Sequence, residues 1–232
     1  MPSKASEEGR SDRSTLVGQT AFAPREDVVR LIPVPVDRVL DVGCGPGLTA
    51  QAMREAGARE VWGVERDPQL AEEARTRLDG VVCGDLSENP CFDLPLGSFD
   101  VVVYADVLEH LVDPWTVLKA QTSLLKPGGL AVFSLPNVRN ARVVGSLLLR
   151  GKWAYQDEGI MSIGHLRFFT TRTMRRMIAG AGYEIVREEA SYRPKGLLVR
   201  RLSLGLLDDF VAEQRLFVAR LPELRPSLAK QE

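Results

Sequence analysis

R-V-L-D-V-G-C-G-P-G, residues 38–47, decides the fold, because a buried apolar run ends there in a turn stripped of side chains. Val39, Leu40 and Val42 supply the core of a strand covered on both faces, as in a parallel sheet. Gly43, Gly45 and Gly47 follow, and a helix-like run begins at Leu48. Glycine has two uses here: it tolerates positive φ, and it lets a ligand approach bare peptide where a Cβ would collide. The next apolar run, Val61-Trp62-Gly63-Val64, ends in Glu65. An acidic residue at that distance fits a carboxylate accepting hydrogen bonds from a ribose diol, so the unit reads as a βαβ nucleoside site. A dinucleotide pyrophosphate site would carry G-x-G-x-x-G, and reading from Gly43 puts Leu48 where its last glycine belongs.

Strands and helices alternate over the rest of the chain, which predicts an α/β fold: a Rossmann-like, doubly wound, mostly parallel seven-stranded sheet with helices on both faces. Strands are expected at 38–42, 60–65, 81–84, 99–104, 130–135, 183–190 and 213–221. Helices are expected at 48–57, 68–78, 114–125 and 171–182, with Pro68 suited to a first turn and K-P-G-G, 126–129, stopping the third. The 232 residues suffice for one α/β core and approach the limit for a single one. We therefore expect one domain over 26–232, preceded by an arm, 1–25, that is polar and mobile at its start.

A net charge of −1 gives no sequence-wide attraction to nucleic acid or to an anionic membrane. Cys44, Cys83 and Cys91 cannot all pair and form no C-x-x-C motif, so a reducing cytoplasm is the simplest compartment. No segment has the apolar length of a membrane span, and the N-terminus lacks the apolar core of a signal peptide.

Two stretches exceed the minimal fold. Residues 137–166 follow the fifth strand and include a possible helix with Val143, Val144, Leu147 and Leu148. Segments after the carboxyl ends of strands overhang the ligand crevice, so this one is expected to be a lid or substrate platform. Residues 193–211 repeat Leu198, Leu202, Leu206 and Phe210 every four positions, beside Arg193, Lys195, Arg200 and Arg201. Such a face packs on its own domain or on a homodimer mate, the reading preferred here, or lies on a membrane surface.

D-V-G-C-G-P-G resembles the first motif of class I S-adenosylmethionine (SAM) dependent methyltransferases. The resemblance implies SAM as cofactor and S-adenosylhomocysteine as its product. It further implies that Asp41 meets the methionyl amino group, while backbone at Gly43, Cys44, Gly45 and Gly47 takes the carboxylate and sulfonium end. Glu65 would bind the ribose hydroxyls, and the stem of Arg66 would lie along the adenine. Asp85 would accept from the adenine amino group beside the Leu86 backbone, and Tyr104 and Ala105 would flank the reactive half. G-K-W-A-Y-Q-D-E-G-I-M-S-I-G-H-L-R-F-F-T, 151–170, resembles a bacterial subgroup associated with glycan and cell-envelope biosynthesis. Ser162 stands where that subgroup usually has Asp.

The implied activity is O-methylation of a small or carrier-linked acceptor such as a sugar. N- or C-methylation in secondary metabolism or quinone synthesis, and a non-catalytic SAM-binding subunit, are the alternatives. Only two histidines are present, so His110 and His165 are the candidate bases. Asp106, Glu109 and His110 would converge on a helix at i, i+3 and i+4. That spacing resembles the acidic-x-x-Glu-His cluster of metal-dependent ubiquinone-biosynthesis O-methyltransferases and small-RNA methyltransferases. Many enzymes with E-H-L at this point use no metal, and none is expected here.

Overall fold

The computed structural model describes residues 23–223, so most of the expected arm, residues 1–22, lies outside the described residues. The elements in chain order are α1 (Glu26–Val29), β1 (Val36–Val42), α2 (Leu48–Ala56), β2 (Ala58–Glu65), α3 (Pro68–Ala74), β3 (Gly80–Cys83) and β4 (Phe99–Ala105). They continue with α4 (Pro114–Gln121), β5 (Leu125–Pro136), α5 (Ala141–Arg150), α6 (Thr171–Gly180), β6 (Glu184–Tyr192), α7 (Pro194–Leu202), α8 (Asp208–Val211) and β7 (Ala212–Arg220). One seven-stranded sheet has the order β3-β2-β1-β4-β5-β7-β6. β1 to β5 pair in parallel, and β7 inserts antiparallel between β5 and β6.

Alternation along the strands divides the core into two layers. Leu40, Val102, Tyr104 and Phe133 face Leu118 of α4 and Met174 and Ile178 of α6. Their neighbours Val39, Val101, Val103 and Val132 face Val28 of α1 and Ala50 and Met53 of α2. Fully burying one such side chain contributes about 1.5–3 kcal/mol, so the central strands are the most strongly fixed part of the molecule.

Helix starts follow local chemistry. Asp67 accepts from the Gln69 and Leu70 amides ahead of Pro68, and Asp113 accepts from Thr116 ahead of Pro114. Thr170 and Thr173 bond reciprocally at the start of α6, and Asn140 caps α5.

Two expectations are corrected. K-P-G-G does not stop α4, which ends at Gln121 and continues as a 3-10 turn, Thr122–Leu124, while residues 126–129 lie inside β5. A register shift between Phe99 and Val101 accommodates Pro127, which has no N–H for a ladder. The Leu198-to-Phe210 stripe is not one helical face either. α7 ends at Leu202, and Leu204 and Gly205 turn the chain at φ 50° and 83° before α8.

Candidate functional site

Because β1, β2 and β4 are parallel, their ends at Val42, Glu65 and Ala105 share one edge of the sheet. Strand order reverses direction between β1 and β4, and a ligand crevice opens at such a point. The glycine turn occupies it, with φ of 74° at Gly43, 53° at Gly45 and 86° at Gly47. A Cβ on Gly43 would sit 2.9 Å from Val107 Cγ2, so the bare peptide is what lets the segment after β4 lie against the turn.

The turn satisfies its own amides. Gly43 and Cys44 both donate to the Val64 carbonyl, at 2.8 and 3.0 Å, and Gly47 donates to the Cys44 carbonyl at 3.0 Å. Those N–H groups are therefore not free donors for a ligand, contrary to the sequence expectation for this backbone. Gly45 donates instead to Glu65 Oε2 at 2.9 Å, and Glu65 Oε1 accepts from the Asp67 amide at 2.8 Å. The Cys44 side chain is buried, and its sulfur fills the space beside Gly63. Burial pushes its thiol pKa up, so Cys44 packs and does not react.

Asp41 is 2% exposed and has no side-chain hydrogen-bond partner among the described residues. Burial, with the Glu65 charge added, pushes its carboxyl up to about 7. Among the described residues no cation pairs with Asp41 or Glu65, and a cationic group entering the crevice would be favoured beside them.

The other expected contacts divide. Arg66 is exposed, and Asp85 is half-buried with Oδ1 accepting from the Ser87 amide at 2.8 Å. The Leu86 side chain belongs to the core, leaving only its backbone for a ligand. Tyr104 needs a correction: its ring is fully buried and stacks on Phe133 at 5.2 Å, so the side chain faces the core and not the crevice. Ala105, one step on, is half-buried at the strand end.

Beyond β4 the chain makes a 3-10 turn, Leu108–His110, and not an α-helix. Asp106 has φ 55° and turns away to an ion pair with Arg25 and a hydrogen bond from Gln214 Nε2 at 2.8 Å. The expected Asp106–Glu109–His110 convergence therefore does not occur. His165 takes the third place instead: one ligand atom from each of Glu109, His110 and His165 lies within 4.8 Å of the others. His110 Nδ1–H donates to the Gly164 carbonyl at 2.9 Å and His165 Nδ1–H to the Ile160 carbonyl at 3.0 Å. A carbonyl can only accept, so both tautomers are fixed and each Nε2 keeps its lone pair. The rings meet edge to face at 4.8 Å, and His165 Nε2 lies 4.0 Å from Glu109 Oε1.

Burial lowers both imidazole pKa values, and the hydrogen bond each ring gives to a carbonyl only partly opposes this. Glu109 is fully buried with neither carboxyl oxygen hydrogen-bonded, and burial pushes its pKa up to about 8. Two imidazoles held through their far nitrogens, with one carboxyl, make a donor set that fits a divalent ion.

Backbone contacts stitch this turn to the return of the 137–166 segment. The Glu109 carbonyl accepts from Leu166 and Arg167 at 2.8 and 3.0 Å, and the Arg167 guanidinium donates to the Val112 carbonyl. Phe168 then meets Trp153 at 5.2 Å, Tyr155 at 6.0 Å and His165 at 6.4 Å. Aromatic faces, two of them partly open to solvent, thus stand beside the imidazoles.

Sheet order and glycine turn define a Rossmann-like α/β protein with a crevice at the carboxyl ends of β1 and β4. The chain belongs to the methyltransferase-domain family, whose pattern it matches over residues 17–188. Over 143 residues it is 37% identical to a "Ubiquinone biosynthesis O-methyltransferase" of Xanthomonas campestris pv. campestris, covering 56% of this chain and 59% of that protein. The chain thus spans about three-fifths of the length of that curated relative. The fold matches an S-adenosylmethionine dependent methyltransferase from Mesorhizobium loti with a TM-score of 0.58 at 21% identity, over 84% of this chain and 96% of that one. It also matches a SAM dependent methyltransferase from Archaeoglobus fulgidus with a TM-score of 0.61 at 19% identity, over 84% and 91%.

Proposed function

We propose that the chain transfers the methyl group of SAM to a hydroxyl oxygen of a small or carrier-linked acceptor. The carrying observation is the convergence of Glu109, His110 and His165 beside the glycine turn. SAM supplies, when bound, a methyl carbon activated by a positive sulfonium. Asp41 and Glu65 hold its ammonium and ribose hydroxyls, Gly45 lets its chain pass, and Asp85 with the Leu86 backbone meets the adenine edge. Arg66 lays its stem along the adenine, and Ala105 borders the reactive half.

The acceptor oxygen is activated by His110 or His165, neutral near pH 7 and offering Nε2. The hydroxyl proton passes to Nε2, the oxygen lone pair forms the new C–O bond, and the C–S electron pair stays on sulfur. Trp153, Tyr155 and Phe168 support an acceptor with a flat face, a phenolic ring or a sugar. The relative's name supports a quinone-precursor phenol, and the H-L-R-F-F-T resemblance supports a sugar. The three unpaired cysteines suit a reducing cytoplasm.

A second reading is favoured by the same donor set: a divalent ion on Glu109, His110 and His165 would act as a Lewis acid on the acceptor oxygen. Dialysis against a chelator separates the two, since the metal-free reading expects unchanged turnover. The function itself is tested with methyl-labelled SAM and a panel of catechols, prenylated phenols and sugar nucleotides, the products being read by NMR. A new O–CH3 signal supports the proposal, whereas N–CH3 or C–CH3 products overturn it.

A further inference from the structure

We propose that α5 and the α7–α8 hairpin together form a docking surface for an anionic lipid bilayer. β5 and β6 are both antiparallel to β7, so they end at the same sheet edge, from which α5 and α7 leave. A cleft of about 610 Å³ between them is lined by Ala141 and Arg142 on one side and Pro194 and Val199 on the other. Away from it the apolar side chains face solvent. Leu148 and Leu149 of α5 are 76% and 86% exposed, and Leu202, Leu204 and Leu206 at the hairpin tip are 77%, 92% and 87% exposed. Leucines so exposed and so grouped mark a partner surface.

The hairpin is not a loose loop. Buried Arg215 of β7 pairs with Asp208 at 2.7 Å and Asp209 at 3.0 Å, and Arg200 also pairs with Asp208 at 2.8 Å. Its base is thus fixed while its tip presents leucine. Charge identifies the occupant. Residues 139–152 and 193–207 contain eight Arg and Lys and no Asp or Glu, in a chain whose net charge is −1. Arg150, Lys152, Lys195 and Arg201 have no ion-pair partner among the described residues and are all exposed. Apolar tips ringed by unpaired cations suit the interface of an anionic bilayer, where leucine enters the acyl boundary and Lys or Arg meets headgroup phosphate. A second copy of the chain would bring these cations against one another. The docked edge is the one at which the crevice opens, so a bilayer-held acceptor would reach it directly.

Sedimentation of the full chain with sucrose-loaded vesicles tests this, comparing phosphatidylcholine alone with phosphatidylcholine containing phosphatidylglycerol. Binding is expected only to the anionic vesicles and to weaken with salt. Lys195→Glu with Arg201→Glu, and separately Leu204→Asp with Leu206→Asp, should each reduce it at least about tenfold. SAM affinity and thermal midpoint should be unchanged, which shows that the variants fold. No binding to anionic vesicles at low salt overturns the proposal. So does a concentration-dependent dimer that the leucine variant abolishes, since the surface would then belong to a second copy.

Discussion

With Asp41 in its proposed role, cofactor binding should depend on pH in the direction that the residue's burial dictates. Its carboxyl is held up to about 7 by burial and by Glu65, and only the ionised form attracts an ammonium. For a free-enzyme pKa near 7, apparent affinity should rise about fifteenfold between pH 5.5 and 7.0, a Henderson–Hasselbalch ratio for one proton. Above that the amino group of SAM, titrating near ~7.8 as other α-amino groups do, reverses the trend. Titration calorimetry in two buffers of different ionisation enthalpy measures both the slope and the proton released. Asp41→Asn should flatten the slope and weaken binding at pH 7. An affinity that changes less than twofold between pH 5.5 and 7.0, or an Asn variant with the slope of the parent, would refute the argument.

Other outcomes follow from individual contacts. Glu65→Ala should weaken SAM binding by more than tenfold, because charge-assisted hydrogen bonds contribute about 1.5–3 kcal/mol each; calorimetry reads it. His165→Ala should lower turnover far more than SAM affinity, which a comparison of kcat with the SAM dissociation constant decides. Gly43→Ala, at φ 74° and against Val107, should cost about 1–3 kcal/mol in chemical denaturation. Glu109 binds its proton more tightly folded than unfolded, so its contribution to stability falls as pH rises from its ordinary value near 4.5 through about 8. Glu109→Gln should remove that slope in thermal melts, and an unchanged slope would count against a buried, protonated Glu109.

What was legible in the sequence is what is local. β1, the glycine turn and α2 lie within residues 36–56, and their apolar run and glycine spacing read directly. That Asp41 and Glu65 stand at one edge of the sheet was readable because a βαβ unit sets the distance between strand ends. The donor cluster was only half legible. Asp106 leaves it through Arg25 and Gln214, 81 and 108 positions distant in sequence, and His165 enters it from beyond α5. Spacing at i, i+3 and i+4 presumes a helix, and Asp106 at φ 55° breaks that presumption. The proline in β5 misled for a similar reason: an irregularity in register, invisible in sequence, gives Pro127 its place.

The contact between Gly43 and Val107 makes what position 43 can carry depend on the size of the residue at 107. Val107 immediately precedes the turn that carries Glu109 and His110, so a substituent at 43 presses on that turn as well as on the glycine turn. Position 107 can shrink alone, whereas an alanine at 43 would be tolerated best where 107 has already become smaller. A double-mutant cycle on Gly43→Ala and Val107→Ala should therefore be strongly non-additive, with the pair fitter than the first change alone.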